Sequence, residues 1–143
     1  MNVAAVRDHL LSDRRPWVAT ALDCADAVAA GWDGEATHDR EQVVPPYRAA
    51  LDRAGVLDAA PTVLRECVAA ASELDELAAD PVAAPPYVVV TGEGVLLRAT
   101  LDRRLLVHVR AFRLRPYSEP GTPPRYERGG DSPAAAVAVE TTD

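Results

Sequence analysis

Arg98, His108 and Arg110 are the residues of this chain whose types and spacing best fit a binding chemistry. They fall in a stretch where apolar and polar residues alternate, and even spacing on a strand turns side chains to one face. Two guanidinium groups supply fork-shaped donors for carboxylate or phosphate, and a positive neighbourhood favours the neutral imidazole. Leu96 and Phe112 have the same parity and add apolar contact. The predicted site is therefore Leu96, Arg98, His108, Arg110 and Phe112, holding an anion or an acidic partner. The competing reading is structural. In it the arginines lie along apolar neighbours and meet the acidic helices, a carboxylate of the C-terminal segment or a second copy of the chain.

Other reactive residue types are sparse. Cys24 and Cys67 occupy inward positions of apolar helical patterns, where cysteine acts as a small hydrophobe. They form no C-x-x-C pair and are too few for a disulfide scaffold. His38-Asp39-Arg40-Glu41 has metal-ligand residue types, but only His38 and Glu41 share a helix side, and two ligands do not make a site. His9 stands beside Asp8 as a solvated residue. Ser12, Ser72, Ser118 and Ser132 lack a nucleophile-elbow context, and the glycine spacing matches no phosphate or dinucleotide loop. The basic residues are 15 arginines without a lysine, which removes Schiff-base, phosphate-loop and lysine-base chemistry. These features read against an enzyme, and no catalytic residue, cofactor or metal is expected.

Charge is segregated against its overall sign of −7. Residues 1–80 carry 15 acids and seven arginines, residues 81–115 two acids and six arginines, and residues 116–143 five acids and two arginines. A basic segment inside an acidic protein calls for an anionic partner or for the protein's own acids. Arg103-Arg104 with Arg113 and Arg115 suggests a grip on nucleic-acid phosphates, and helices followed by a hairpin resemble a winged-helix layout. The helical stretch at 61–79 opposes this, since Arg65 stands alone there against Glu66, Glu73, Asp75 and Glu76. Nucleic acid is thus disfavoured as a partner.

The elements that must position these residues follow from periodicity. Residues 3–12 predict an amphipathic helix, and Pro16 to Ala30 a second one stopping at Gly31. Thr37 is the expected cap of a third helical stretch that Pro45-Pro46 breaks or restarts, followed by a short helix from Tyr47 to Ala54. Pro61 is expected to open a fourth helix reaching about Ala79. The period then changes to two. Tyr87–Thr91, Val95–Leu101 and Leu105–Leu114 read as an antiparallel meander, joined by three-residue loops at Gly92-Glu93-Gly94 and Asp102-Arg103-Arg104. That register puts Tyr87, Val89 and Thr91 on the core face, and sets Val88, Arg98 and His108 in one outer row.

The expected fold is α+β: an N-terminal layer of about four helices on a C-terminal three-stranded antiparallel meander, with room for a fourth strand. Residues 1–115 form the single expected domain. Residues 116–143 read as a Pro/Gly-rich, acidic, largely flexible tail. Within it Arg125–Arg128 and Ala134–Val139 are the stretches that can add a strand. Pro85-Pro86-Tyr87-Val88-Val89-Val90 and Arg98-Ala99-Thr100-Leu101 carry a likeness over residues 3–115. On these motifs the chain resembles short uncharacterised, domain-of-unknown-function proteins of halophilic archaea. The resemblance implies an Ala- and Asp-rich helical half ahead of a meander, and it transfers no functional residue.

With no membrane-length apolar run and no signal peptide at the amino terminus, the expected location is the cytoplasm. The expected role is a non-enzymatic binding or assembly protein whose outer sheet face contacts an acidic partner or a second copy. A winged-helix-like regulator of nucleic acid is one alternative. A small-ligand enzyme, with His108 beside a carboxylate in a pocket between helices and sheet, is the other.

Overall fold

The computed structural model describes residues 1–72, 77, 79–116 and 120–142. Helix α1 (Val3–Leu11) begins where the Asn2 side-chain oxygen accepts from the Ala5 amide at 3.0 Å, satisfying one orphan donor of the first turn. Helix α2 (Arg15–Ala30) has Pro16 in its first turn and ends at Gly31, as the sequence predicts. Its inner stripe from Trp17 to Val28 is buried. Strand β1 (Ala36–Thr37) and a 3₁₀ turn (Arg40–Gln42) follow, then α3 (Val44–Arg53) and α4 (Val56–Ala71). Pro45 and Pro46 restart the chain as α3, because a first turn needs no donor there.

Three helical expectations are corrected. Thr37 caps no helix; it lies in β1, and Asp39 caps the 3₁₀ turn by accepting from the Glu41 amide at 2.9 Å. Pro61 does not open α4. The helix starts at Val56, directly after Gly55 turns the chain with φ +79°, a value glycine tolerates. Pro61 sits inside and forfeits only the bond to the Leu57 carbonyl, while Val56, Leu57, Ala60, Val63 and Leu64 anchor the helix by burial. Helix α4 ends at Ala71, where Ser72 turns extended, short of the expected Ala79; residues 73–76 and 78 lie outside those described.

The β half is a four-stranded antiparallel sheet with a second sheet beside it. Strands β2 (Val88–Val90), β3 (Gly94–Thr100), β4 (Arg104–Arg110) and β7 (Val137–Thr142) pair in the order β2-β3-β4-β7. Strands β5 (Phe112–Arg115) and β6 (Arg125–Arg128) join β1 in the order β1-β6-β5. A four-residue helix, α5 (Pro133–Ala136), leads into β7. The α+β class and the helices-then-strands order agree with the sequence reading. The three-stranded sheet was not anticipated. Within 116–143, β6 coincides with the Arg125–Arg128 stretch, whereas in Ala134–Val139 the first three residues are helical and only the last three enter β7, which supplies the fourth strand.

The meander itself is corrected in three places. Thr91 and Gly94 exchange both main-chain hydrogen bonds, at 2.8 and 3.2 Å, across Gly92-Glu93. That loop is one residue shorter than expected, so parity flips on β2: Val88 and Val90 are buried, and Tyr87, Val89 and Thr91 turn outward. The second loop is Leu101-Asp102-Arg103, with Thr100 opposite Arg104, which slides β4 by two residues and keeps its faces. Finally, Leu105–Leu114 is not one strand. The Glu93 carbonyl accepts from both Ala111 (2.8 Å) and Phe112 (3.0 Å), and the chain leaves the first sheet for the second at Ala111.

Helices α3 and α4 pack on β2, α4 also on β3, and α1 on β7. The core between them includes Leu10, Val18, Tyr47, Leu51, Leu64, Leu97 and Leu105, all essentially without solvent access. No helix among the described residues is long and apolar enough to cross a membrane.

Candidate functional site

Alternation sorts the four-stranded sheet into an inner and an outer face. Val95, Leu97, Ala99, Leu105, Val107, Val109 and Val137 point inward, none more than 4% exposed. Outward, pairing builds two rows. Tyr87, Arg98, Leu106 and Glu140 form one, with the Arg98 amide donating to the Tyr87 carbonyl at 2.9 Å. Val89, Leu96, His108 and Ala138 form the next, and Arg110 lies one row beyond. All of these are half-buried or exposed.

Four of the five predicted residues, Leu96, Arg98, His108 and Arg110, thus share this outer face. Phe112 does not. It is 3% exposed, and its ring meets Tyr47 edge-on at 5.0 Å and Trp32 at 5.9 Å. The turn at Ala111 carries it into the core, where an aromatic ring gains more by burial than on a solvated face. The expected row is also re-paired: His108 stands opposite Leu96, and Arg98 opposite Leu106.

Glu140 is the carboxylate of the C-terminal segment that the structural reading allowed for without naming the residue. Arg110 donates to its Oε1 at 3.1 Å, and His108 Nε2 lies 3.8 Å from the same oxygen. Its signal was present in the alternation of Val137, Val139 and Thr141, which leaves Glu140 on the other side. Burial first, and the Arg110 charge second, hold the His108 pKa below its ordinary 6.5, while Glu140 and Glu93 oppose them. His108 is therefore neutral at pH 7, and its shielded Nε2 has no hydrogen-bond partner among the described residues. Arg98 has no ion pair among the described residues and borders a hollow of about 180 Å³ with Leu77, Pro86, Tyr87 and Thr100. A second hollow, about 220 Å³, lies between His108, Arg110, Leu96 and Thr91.

His108 faces outward from the sheet, not into a helix–sheet pocket, and its nearest carboxylate is beyond hydrogen-bond reach for proton transfer. What the face offers is a half-buried apolar strip (Val89, Leu96, Leu106 and Ala138) edged by Arg98, Arg110 and Glu140.

Other candidates resolve into structural roles. His9, placed as solvated by sequence, is 19% exposed and joins a knot on α1 and α4. Its Nε2 meets Glu66 Oε1 at 2.7 Å, and its Nδ1 lies 3.3 Å from Asp13. Arg14 donates to both Glu66 oxygens, at 2.7 and 2.6 Å. That fork and the His9 bond hold the Glu66 carboxyl down at about 2, against a smaller opposing effect of burial. Cys24 and Cys67 are buried free thiols; burial pushes Cys67 up to about 12 and raises Cys24, so neither supplies a thiolate at neutral pH. Arg104 opens β4 in the four-stranded sheet, whereas Arg113 and Arg115 lie on β5 in the other sheet, so the arginines expected to grip phosphate are divided between two sheets. Arg115 instead pairs with Glu127 beside it.

Among known proteins, no curated protein and no solved structure matches the chain. Residues 4–142 match the model of a domain of unknown function, DUF7988. The match spans the fold from α1 through β7 and includes Glu140, well past the 3–115 of the sequence resemblance. The chain belongs to the DUF7988 family.

Proposed function

We propose that this chain is a non-enzymatic binding or assembly protein of the cytoplasm, using the outer face of its four-stranded sheet to contact an acidic partner or a second copy of itself. One observation carries the reading: one face of the sheet is buried on helices, while the other leaves Val89, Leu96, Leu106 and Ala138 half-exposed beside Arg98 and Arg110. An apolar centre with arginine at its margin is the composition that interfaces favour. The proposal also sets the protein in a halophilic archaeon, where 22 acids against 15 arginines keep the surface hydrated in strong salt. There the Debye length shrinks to about 3 Å, so only contact-distance pairs such as Arg110–Glu140 add specificity.

The test is the Arg98→Ala/Arg110→Ala double variant, compared with the unaltered chain for self-association by light scattering and for binding of polyglutamate, a probe for an acidic partner. Loss of either association in the double variant supports the reading. Associations that persist unchanged in the double variant, or that are absent from the unaltered chain, remove it.

A further inference from the structure

Resting on that reading, we infer that the occupant of the outer face is a second copy of this chain, docked face to face about a two-fold axis lying close to the direction of β4. The charge order within one row defines this pairing. Arg98 on β3, Leu106 on β4 and Glu140 on β7 are consecutive cross-strand neighbours. Rotation about an axis along β4 carries β3 of one copy over β7 of the other. Arg98 then meets Glu140 of the second copy, Leu106 meets Leu106, and Glu140 meets the second Arg98. A self-complementary patch of this kind is what a closed two-fold dimer requires.

The neighbouring row fits the same operation. Leu96 falls over Ala138 of the second copy, large against small, and the two neutral His108 rings meet at the axis. An axis running across the strands instead stacks Arg98 on Arg98 and Glu140 on Glu140, which like-charge repulsion disfavours. Charge order also favours a second copy over an acidic partner. The face is mixed, since Glu140 already occupies Arg110 and would oppose an incoming acid.

Size sets the strength. With the axis along β4 only β3, β4 and β7 find counterparts, and three strands of up to seven residues cover about 24 by about 14 Å, roughly 340 Å² on each copy. About 700 Å² in total belongs to weak, reversible interfaces. Arg104 and Arg110, both on β4, face their counterparts across the axis and weaken it further, although Arg110 is drawn aside toward Glu140. The dimer therefore forms at high micromolar concentration and dissociates on dilution.

Sedimentation equilibrium on the full chain tests this. The unaltered protein is expected to show twice the monomer mass at high concentration, while Arg98→Glu alone, Glu140→Arg alone and Leu106→Asp each run as monomers. An equimolar mixture of the Arg98→Glu and Glu140→Arg chains is expected to regain the doubled mass, because each contact in that heterodimer joins opposite charges. An unaltered chain that stays monomeric, single variants that still dimerise, or a mixture that stays monomeric would each overturn the inference. If it falls while polyglutamate still binds the unaltered chain and not Arg98→Ala/Arg110→Ala, the outer-face reading stands without the second copy. If polyglutamate binding is absent as well, both fall. Far-UV circular dichroism of each variant separates lost pairing from lost folding.

Discussion

Replacing Glu66 by glutamine removes the charge that Arg14 and His9 share across α1, α4 and the turn between α1 and α2. Moving a carboxyl from its ordinary 4.5 to about 2 corresponds to about 3.4 kcal/mol at 1.36 kcal/mol per pH unit. Solvent reaches this side chain, which is 31% exposed, so screening reduces the expected contribution to about 2 kcal/mol. The sign follows from a depressed folded pKa: the stabilisation is complete above 4.5 and is lost as pH falls toward about 2. Urea unfolding of both proteins at pH 7, 5 and 3.5 reads it directly. The gap should be about 2 kcal/mol at pH 7 and 5 and visibly smaller at pH 3.5, with a melting difference at neutral pH of about 4–8 °C. The double-mutant cycle with Arg14→Ala should return most of that value as coupling. A gap below about 0.5 kcal/mol at pH 7, or one independent of pH, would refute the idea that this knot holds the helices together.

Two further perturbations probe the sheet. A Cβ on Gly94 would overlap the Val109 carbonyl oxygen at a φ of +146°, so Gly94→Ala should destabilise by about 2 kcal/mol or more. A wild-type urea midpoint in that variant would contradict the tight first hairpin. His108 carries a lowered folded pKa, so the folded state resists protonation and stability declines as pH drops below 6.5. His108→Gln should flatten the urea midpoint between pH 7 and 5, and an unchanged slope would show that His108 is solvated.

Much of the scaffold could be read before any coordinates. Pro16 and Gly31 punctuate the second helix, and the alternation around Arg98, His108 and Arg110 places all three on one sheet face. What failed, failed for local reasons. Val88-Val89-Val90 has no polar residue to mark which side faces solvent, so one residue of loop length decided the parity of β2. Phe112 continues the alternation past Ala111, and nothing in the pattern signals that the Glu93 carbonyl turns the strand there. Strand β1 is two residues long and owes its pairing with β6 to tertiary packing, beyond the reach of periodicity, although β6 itself falls on the Arg125–Arg128 stretch read as able to add a strand. Glu140 was hidden by the Pro/Gly-rich composition around it, although β7 itself alternates cleanly.

The claim that the outer sheet face is the interaction surface is tested most directly by residue-resolved NMR. Amide and methyl shifts would be followed as the protein is diluted from millimolar to micromolar concentration, and again as polyglutamate is added. The account predicts that the moving signals cluster at Val89, Leu96, Arg98, Leu106, His108, Arg110 and Glu140, while those of α1 to α4 stay still. Shifts confined to the helices, or no shifts in either titration, would contradict it.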